Sequence, residues 1–328
     1  MRISKKGGIA LFFTAGALLA AVIIVHQNQG PGADPRQELM KKVLSCTVIL
    51  LSCLIFAKWY DKFTTLPVEL FQNRHLIWKL AKNDFKKRYA GSYMGAVWAL
   101  AQPVVTVAMY YIVFDKLMGN QVSRGSGDIP YVLFLTAGLV PWFYFNEALN
   151  GGTNAMLEYN YLVKKVVFKI SILPIIKIIA ATFIHAFFVV VLLVVAAVYG
   201  YYPTVYTLQI FYYSACLFIF VLALCYTTCS VVVFFRDLAQ IINIALQIGM
   251  WATPILWDFS NISGGWVIFL KLNPLVYIVN GYRSAIYERQ WFFQDFFSTM
   301  YFWIVTVVLF GIGAALFRRL KVHFADVL

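Results

Sequence analysis

The sequence predicts an all-helical protein that crosses a membrane several times. Of its 328 residues, 62% are hydrophobic and only 12% are charged. Soluble domains contain roughly 45–50% apolar and about 25% charged residues, so this composition is typical of an integral membrane protein. The apolar residues lie in long continuous runs without the alternation of a membrane barrel, so the spans are expected to be helices.

Eight apolar runs approach the length of about 20 residues that a helix needs to cross the hydrocarbon core. They cover residues 7–25, 43–59, 96–117, 131–149, 172–199, 208–235, 239–257 and 299–317. The first two runs predict an N-terminal transmembrane hairpin within residues 1–62, which begins with an uncleaved signal anchor. Residues 63–95 are expected to form an amphipathic helix and turn at the cytoplasmic surface, and residues 96–328 a core of six spans.

The net charge of +13 indicates how the chain is oriented. With both termini in the cytoplasm, most of the 27 Lys and Arg residues fall on the cytoplasmic side, as the positive-inside rule requires. Lys41 and Lys42 are exceptions. Lys177, inside the fifth run, is expected to extend its ammonium group to the cytoplasmic surface. Because the basic residues lie at helix ends and not on a soluble module, nucleic acid is not an expected partner.

A basic amphipathic helix is predicted just before the third run. Ile77, Ala81, Phe85 and Tyr89 recur every four residues and therefore share one face. The lysines that fall mostly on the opposite side are Lys79, Lys82, Lys86 and Lys87. Such a helix can lie in the headgroup layer with its apolar stripe in the acyl boundary. The alternative is an amphipathic helix packed on a protein core.

No pattern of a catalytic site occurs in the sequence. It contains no H-E-x-x-H, no G-x-S-x-G and no P-loop, so neither an enzyme nor an ATPase of its own is indicated. The four histidines are scattered, which argues against a metal site, and His185 is expected to be a packing residue in preference to a proton relay. The five cysteines lie in apolar runs without a C-x-x-C and are expected to be buried thiols.

Residues 258–298 are too apolar for a free external loop. We expect short re-entrant or interfacial helices here, broken at Asn273-Pro274, because proline removes a backbone donor and favours a new helix start. Their expected position is the outer mouth of a channel.

Four landmarks in order carry a resemblance to a known family. They are RYAGSYMGAVWALAQP (88–103), GLVPWFYF (138–145), LVKKVVFKISILP (162–174), and the trio FRD (235–237), TPI (253–255) and NPL (273–275). In this order the chain from about residue 76 onward resembles the permease subunit of ABC exporters for polysaccharides and polyol phosphates, the O-antigen, capsule and teichoic-acid group.

The resemblance implies a permease in the cell (inner) membrane that exports a lipid-linked polysaccharide from the cytoplasm. It further implies a homodimer with two P-loop ATPase subunits, which would hold the ATP and Mg, so that this chain has no cofactor. The expected partners are therefore the ATPase, a second copy, a polyprenyl-diphosphate-linked glycan and membrane lipids. An ABC permease for drugs or small lipids, and a membrane enzyme acting on polyprenyl-linked sugars, remain as alternatives.

Within this resemblance, two groups of residues are candidates on the cytoplasmic side. One is expected to couple the permease to the ATPase through a short helix, with a solvated basic loop as the alternative: Glu158, Tyr159, Leu162, Lys164 and Lys165. The other is expected to meet the lipid diphosphate or form a gate: Lys86, Lys87, Arg88 and Tyr89. A guanidinium offers paired donors to a diphosphate, although ordinary headgroup anchoring explains Arg88 equally well.

Aromatic residues make up 18% of the chain and suggest how sugars could pass. Rings can stack on the apolar C–H faces of sugars, and tyrosine hydroxyls can bond to sugar hydroxyls. The candidates for a channel lining are Tyr110, Tyr111, Phe114, Trp142, Phe143, Tyr144, Tyr212, Tyr213 and Tyr226. For any single ring, helix packing or an interfacial belt is the alternative.

Overall fold

The computed structural model describes residues 5–25, 35–58, 60–88, 95, 97–117, 129–164, 169–259 and 269–328. The helices in chain order are α1 (Lys5–Val25), α2 (Pro35–Lys58), α3 (Tyr60–Gln72), α4 (Arg74–Arg88), α5 (Val97–Tyr110), α6 (Tyr131–Glu158), α7 (Asn160–Val163), α8 (Leu173–Val198), α9 (Gln209–Val232), α10 (Leu238–Ala252), α11 (Leu275–Arg283), α12 (Phe296–Leu320) and α13 (Phe324–Val327). No strand occurs in these ranges, so the all-helical prediction is confirmed. The chain divides into two compact units, Met1–Gln72 and Asn73–Leu328.

The first unit contains an antiparallel helix pair, α1 and α2, followed by α3. Phe12 of α1 stacks on Phe56 of α2 with ring centroids 4.1 Å apart. Near the other end of the pair, Lys42 Nζ donates a hydrogen bond of 3.0 Å to the carbonyl oxygen of Ile24. The last carbonyls of a helix have no partner inside it, so this lysine completes the end of α1. Lys42 thus has a structural partner, and a membrane crossing by this pair stays a prediction.

In the second unit, α6 lies at the centre. Every residue from Tyr131 to Trp142 is buried, because α8, α9, α10 and α11 all pack around this helix. α8 runs antiparallel to α6, and α9 runs parallel to it, with Phe145 stacked on Phe220. α12 packs along α9, and α4 packs along α8.

Glycines allow the closest helix contacts. At Gly152 in α6, an added Cβ would fall onto Cys225 Sγ of α9, whereas at the neighbouring Gly151 the nearest atom would be 3.5 Å away. At Gly313 in α12, an added Cβ would lie 2.9 Å from the Ala223 carbonyl oxygen of α9. Small residues of this kind let membrane helices approach until their backbones pack directly.

Among the residues that the structure describes, five helical segments are long and apolar enough to cross a membrane. They are Lys5–Val25, Tyr131–Glu158, Ile170–Val198, Val205–Val232 and Phe296–His323. They coincide with the first, fourth, fifth, sixth and eighth predicted runs, so the multi-pass character is confirmed. The third and seventh runs contain shorter apolar helices, Val104–Val113 and Leu238–Ala252. The second run lies in α2. Crossings at these three runs, the six-span core and the boundaries at residues 62 and 95 stay predictions.

The break predicted at Asn273-Pro274 is confirmed. α11 begins at Leu275, directly after Pro274, and the Asn273 Oδ1 atom accepts a hydrogen bond of 3.0 Å from the Leu275 N–H. Asn273 Nδ2 also donates to Thr253 Oγ1 at 2.9 Å. The asparagine therefore satisfies a free donor at the start of α11 and ties this helix to the turn after α10. Residues 260–268 lie outside the described ranges.

Arg283, the last residue of α11, is buried with 3% of its surface exposed. Its guanidinium carbon lies 3.6 Å from the centroid of the Phe134 ring, and Nη2 donates to the Ile255 carbonyl oxygen at 3.1 Å. The negative face of the ring attracts the cation. Arg283 thus joins α11 to α6 and to the turn after α10.

Candidate functional site

α4 lies along α8 with its predicted apolar face inward. Ile77 and Ala81 are 3% and 0% exposed, and Phe85 packs with its ring edge against Phe183 of α8. All four lysines assigned to the opposite face are exposed, so the division into two faces is confirmed: Lys79, Lys82, Lys86 and Lys87. The expected position of the stripe in the acyl boundary is wrong for Ile77 and Ala81, because α8 supplies an apolar protein surface for them.

A cluster of charged and polar side chains joins α4, α6 and α8 where α6 ends. We call it the Lys177 cluster, and it consists of Asp84, Glu158, Tyr159 and Lys177. Lys177 Nζ in α8 lies 2.8 Å from Asp84 Oδ1 in α4 and 2.5 Å from Glu158 Oε2 at the end of α6. The Tyr159 hydroxyl donates a short hydrogen bond to the same oxygen of Asp84. Lys177 Nζ also lies 5.0 Å from the centroid of the Tyr159 ring.

The cluster is shielded from solvent on one side and open on the other. The side chains of Lys177 and Asp84 are 7% and 12% exposed, whereas that of Glu158 is 51% exposed. Burial raises the pKa of the Tyr159 hydroxyl, and its hydrogen bond to Asp84 raises this pKa further. Tyr159 therefore stays protonated and keeps its donor directed at the carboxylate.

The structure corrects the expectation that Lys177 reaches the membrane surface. Its side chain is buried and directed at Asp84 and Glu158, because two carboxylates within the protein are in reach of the ammonium and pair with it. The sequence carried a signal for this pair. Asp84 is the only acidic residue between Glu69 and Asp115, and it lies on the helix that packs on α8.

The residues predicted to couple the permease to an ATPase lie at this same corner, between the end of α6 and α7. Glu158 and Tyr159 belong to the Lys177 cluster, while Lys164 is exposed directly after α7. Leu162 is partly buried, and Tyr161, beside it, is 52% exposed. Lys165 lies outside the described residues. The corner thus has an inward face held by ions and an outward face on which Tyr161 and Lys164 are exposed, and coupling stays a prediction.

The predicted gate residues follow at the end of α4. Lys86 and Lys87 are exposed, and α4 ends at Arg88. The side chain of Arg88 and all of Tyr89 lie outside the described part of the chain. A contact with a lipid diphosphate therefore stays a prediction for these four residues.

The aromatic candidates lie mostly in helix contacts. Four of them are almost fully buried: Trp142, Tyr144, Tyr213 and Tyr226. Tyr226 donates to the Ser171 carbonyl oxygen at 2.9 Å, and Trp142 lies against Gly249 of α10. Phe143 packs near Phe188 of α8.

Tyr111 is partly buried, and the side chains of Tyr110 and Phe114 lie outside the described part. A channel lining by these rings stays a prediction.

Tyr212 belongs to a set of hydroxyl and aromatic groups at the Tyr131 end of the second unit. Its hydroxyl lies 3.1 Å from the Tyr277 hydroxyl of α11 and accepts a hydrogen bond from Trp303 Nε1 of α12 at 3.1 Å. Thr299 donates to the same Tyr277 hydroxyl at 3.1 Å. These bonds tie α9, α11 and α12 together, and sequence spacing alone gave no sign of them.

A cavity of about 310 Å³ lies between α8 and α9, over α6. Tyr144, His185 and Ser214 are among the residues that line it. His185 Nε2 lies 3.1 Å from Ser214 Oγ and 2.9 Å from the Tyr282 hydroxyl, so the histidine is a hydrogen-bonded packing residue, as expected. In the described ranges no three His, Cys, Asp or Glu side chains come together to hold a metal ion.

Comparisons with known proteins match the sequence of this chain to transport permeases. The ABC-2 type transporter family matches residues 75–287. The chain is 28% identical over 260 residues to the O-antigen export system permease protein RfbA of Myxococcus xanthus, an alignment that covers 79% of this chain and 97% of that protein.

Two further relatives are more distant. The RfbA permease of Klebsiella pneumoniae is 25% identical over 76% of this chain and 93% of its own length. The polysialic acid transport protein KpsM of Escherichia coli is 24% identical over 72% of this chain and 89% of its own length. Since the family covers most of the chain, including α4, the Lys177 cluster and α11, this protein belongs to the ABC-2 type transporter family.

Proposed function

We propose that this protein is the transmembrane permease subunit of an ATP-driven exporter that moves a lipid-linked polysaccharide from the cytoplasm across the cell membrane. One observation carries the proposal: the chain aligns with 97% of the length of an O-antigen export permease. The similarity to a polysialic acid transport protein extends the support to capsule-type glycans. Permeases for drugs or small lipids, and membrane enzymes, have no such support.

A separate ATPase subunit supplies the energy in this proposal. The sequence has no P-loop, so ATP and Mg would be bound by the partner. The corner after α6 is the proposed docking surface, because Tyr161 and Lys164 project from it while Glu158 and Tyr159 hold it to the rest of the unit. In this proposal the α6 end at Glu158 and both chain termini lie on the cytoplasmic side of the inner membrane.

A second copy of the chain completes the proposed transporter. α5 and α10 expose large apolar side chains, including Val105, Met109, Ile248 and Trp251, each more than half exposed. Such surfaces can contact lipid or another copy, and a passage for a polymer would form between two permeases more readily than inside the closely packed helices of one. Lys86, Lys87 and Arg88 would then meet the diphosphate of the glycan lipid, and the aromatic rings would meet its sugars.

Co-purification and reconstitution test this proposal. A P-loop ATPase should purify with the tagged permease from its native membrane, and its absence would contradict an ABC exporter. In nanodiscs, the ATPase activity of that complex should rise with a polyprenyl-diphosphate-linked oligosaccharide. Stimulation by hydrophobic drugs, but not by the glycan lipid, would replace the proposed substrate class with the alternative one.

A further inference from the structure

The Lys177 cluster connects three helices that are far apart in sequence. Asp84 comes from α4, Lys177 from α8, and Glu158 with Tyr159 from the corner between α6 and α7. One ammonium group is shared by two carboxylates, and the Tyr159 hydroxyl adds a donor to one of them. Each of the three elements is thereby tied to both of the others through a single atom, Lys177 Nζ.

Apolar contacts alone would hold α4 less precisely. The inward face of α4 presents Ile77, Ala81 and Phe85, and hydrophobic contact of this kind is non-directional, so it tolerates sliding along α8. An ion pair of 2.8 Å does not tolerate it, because a slide by one helical turn of about 5.4 Å would separate Asp84 from Lys177. Fixing a register is the best-attested use of a buried ion pair.

We propose that Lys177 is a positioning residue that makes α4, the α6–α7 corner and the start of α8 move as one body during transport. The inference rests on the proposed function, since it concerns how movement of a docked ATPase reaches the basic helix. A displacement of the outward face of the corner, at Tyr161 and Lys164, is transmitted through Glu158 to Lys177 and from Lys177 to Asp84. The Tyr159 hydroxyl adds a direct bond from the corner to Asp84. α4 then carries Lys86 and Lys87 with it.

Three variants of the complete permease–ATPase complex test the link. Lys177→Met removes the shared charge and keeps most of the side-chain stem. Asp84→Lys reverses one partner. The charge exchange of Asp84→Lys with Lys177→Asp rebuilds a pair of opposite sign between α4 and α8; it is made together with Glu158→Gln, so that the new carboxylate at position 177 does not face a second one. Lys321→Met, at an exposed position beyond α12, is the matched control.

The first readout is the ratio of glycan-stimulated to basal ATPase activity in nanodiscs. We expect Lys177→Met and Asp84→Lys to lower this ratio about tenfold, with basal activity retained, as expected for the loss of one coupling interaction. The charge exchange should recover a substantial part of the ratio, which no loss of packing would do. Parental stimulation in Lys177→Met, or a charge exchange that gives no higher ratio than Asp84→Lys, would overturn the proposal.

The second readout needs no substrate. Amide hydrogen exchange of residues 77–88 in the assembled complex should become about tenfold faster in Lys177→Met than in the parent or in Lys321→Met, because α4 opens more easily without its ions. Unchanged exchange would show that Lys177 does not hold α4 and would overturn the inference alone. If no glycan lipid stimulates the ATPase activity of the parent complex, that result contradicts the proposed function and not the inference about Lys177. Where Lys177→Met does not assemble, Glu158→Gln, at a half-exposed position, should give the same changes in smaller degree.

Discussion

The guanidinium carbon of Arg283 lies 3.6 Å from the centroid of the Phe134 ring, so the cation is in direct contact with the face of the ring. A planar cation stacked in this way and bonded to the Ile255 carbonyl differs from a lysine ammonium in shape as well as in hydration.

Arg283→Lys should therefore destabilise the second unit although it keeps the charge. We expect a loss of about 1–2 kcal/mol, since the stacked face and the fixed donor are both removed. Thermal unfolding of the purified complex measures the effect. Arg289→Lys, at an exposed position six residues further, is the control, and equal loss in both variants would contradict the stacking argument.

Gly152→Ala should weaken the contact between α6 and α9, whereas Gly151→Ala should be tolerated. The new methyl group meets Cys225 Sγ in the first variant and has ordinary contacts in the second. Overpacking of this type costs typically about 1–3 kcal/mol. Thermal unfolding of both variants provides the comparison. Adding Cys225→Ala to Gly152→Ala should recover part of the loss, and failure to recover would show that the sulfur is not the obstacle.

Tyr159→Phe should weaken the attachment of α4 to the α6–α7 corner without abolishing it. The variant removes the donor to Asp84 but leaves both ion pairs of Lys177 in place. A hydrogen bond to a charged group contributes roughly 1.5–3 kcal/mol, so Tyr159→Phe should lower the stability of the complex in thermal unfolding. We also expect a smaller fall in the glycan-stimulated ATPase ratio than for Lys177→Met. Tyr161→Phe, two residues away and 52% exposed, should leave the stability of the complex at its parental value. An effect of Tyr161→Phe on stability as large as that of Tyr159→Phe would argue against a specific bond.

Lys164→Glu combined with Lys165→Glu should impair export while the permease still inserts in the membrane. The double variant inverts charge at the proposed docking surface, so the amount of ATPase that co-purifies should fall about tenfold. Quantitative pull-down from membranes measures this, with Lys321→Glu as the control for added negative charge. Normal ATPase recovery and normal export would remove Lys164 and Lys165 from the docking surface.

The sequence predicted the parts of the fold that depend on local pattern. Long apolar runs marked the five spans, the four-residue spacing of Ile77 and Ala81 marked the inward face of α4, and Asn273-Pro274 marked the start of α11. Each of these features depends on a few residues that are close in sequence, so a single sequence is enough to predict it.

Features that depend on distant residues were missed or misjudged. Lys177 was predicted to extend to the membrane surface. Its two acidic partners come from α4 and from the end of α6, and the sequence around Lys177 does not indicate them. The neighbours of two candidate rings were likewise not predicted: Tyr213 packs near Tyr277 of α11, and Tyr226 donates to the Ser171 carbonyl oxygen. Helix pairing decides such cases, and sequence spacing carries little information about which helices pair.

The buried cysteines have a practical consequence for watching this protein unfold. Cys53, Cys216, Cys225 and Cys229 are at most 5% exposed, and Cys46 is partly exposed. A maleimide reagent should thus find four of the five thiols closed in the folded chain and open once the helices separate. Cys225 lies against Gly152 and bonds to the Ala148 carbonyl oxygen, so the rate at which this native thiol becomes labelled would report the opening of α6 from α9 with no engineered probe.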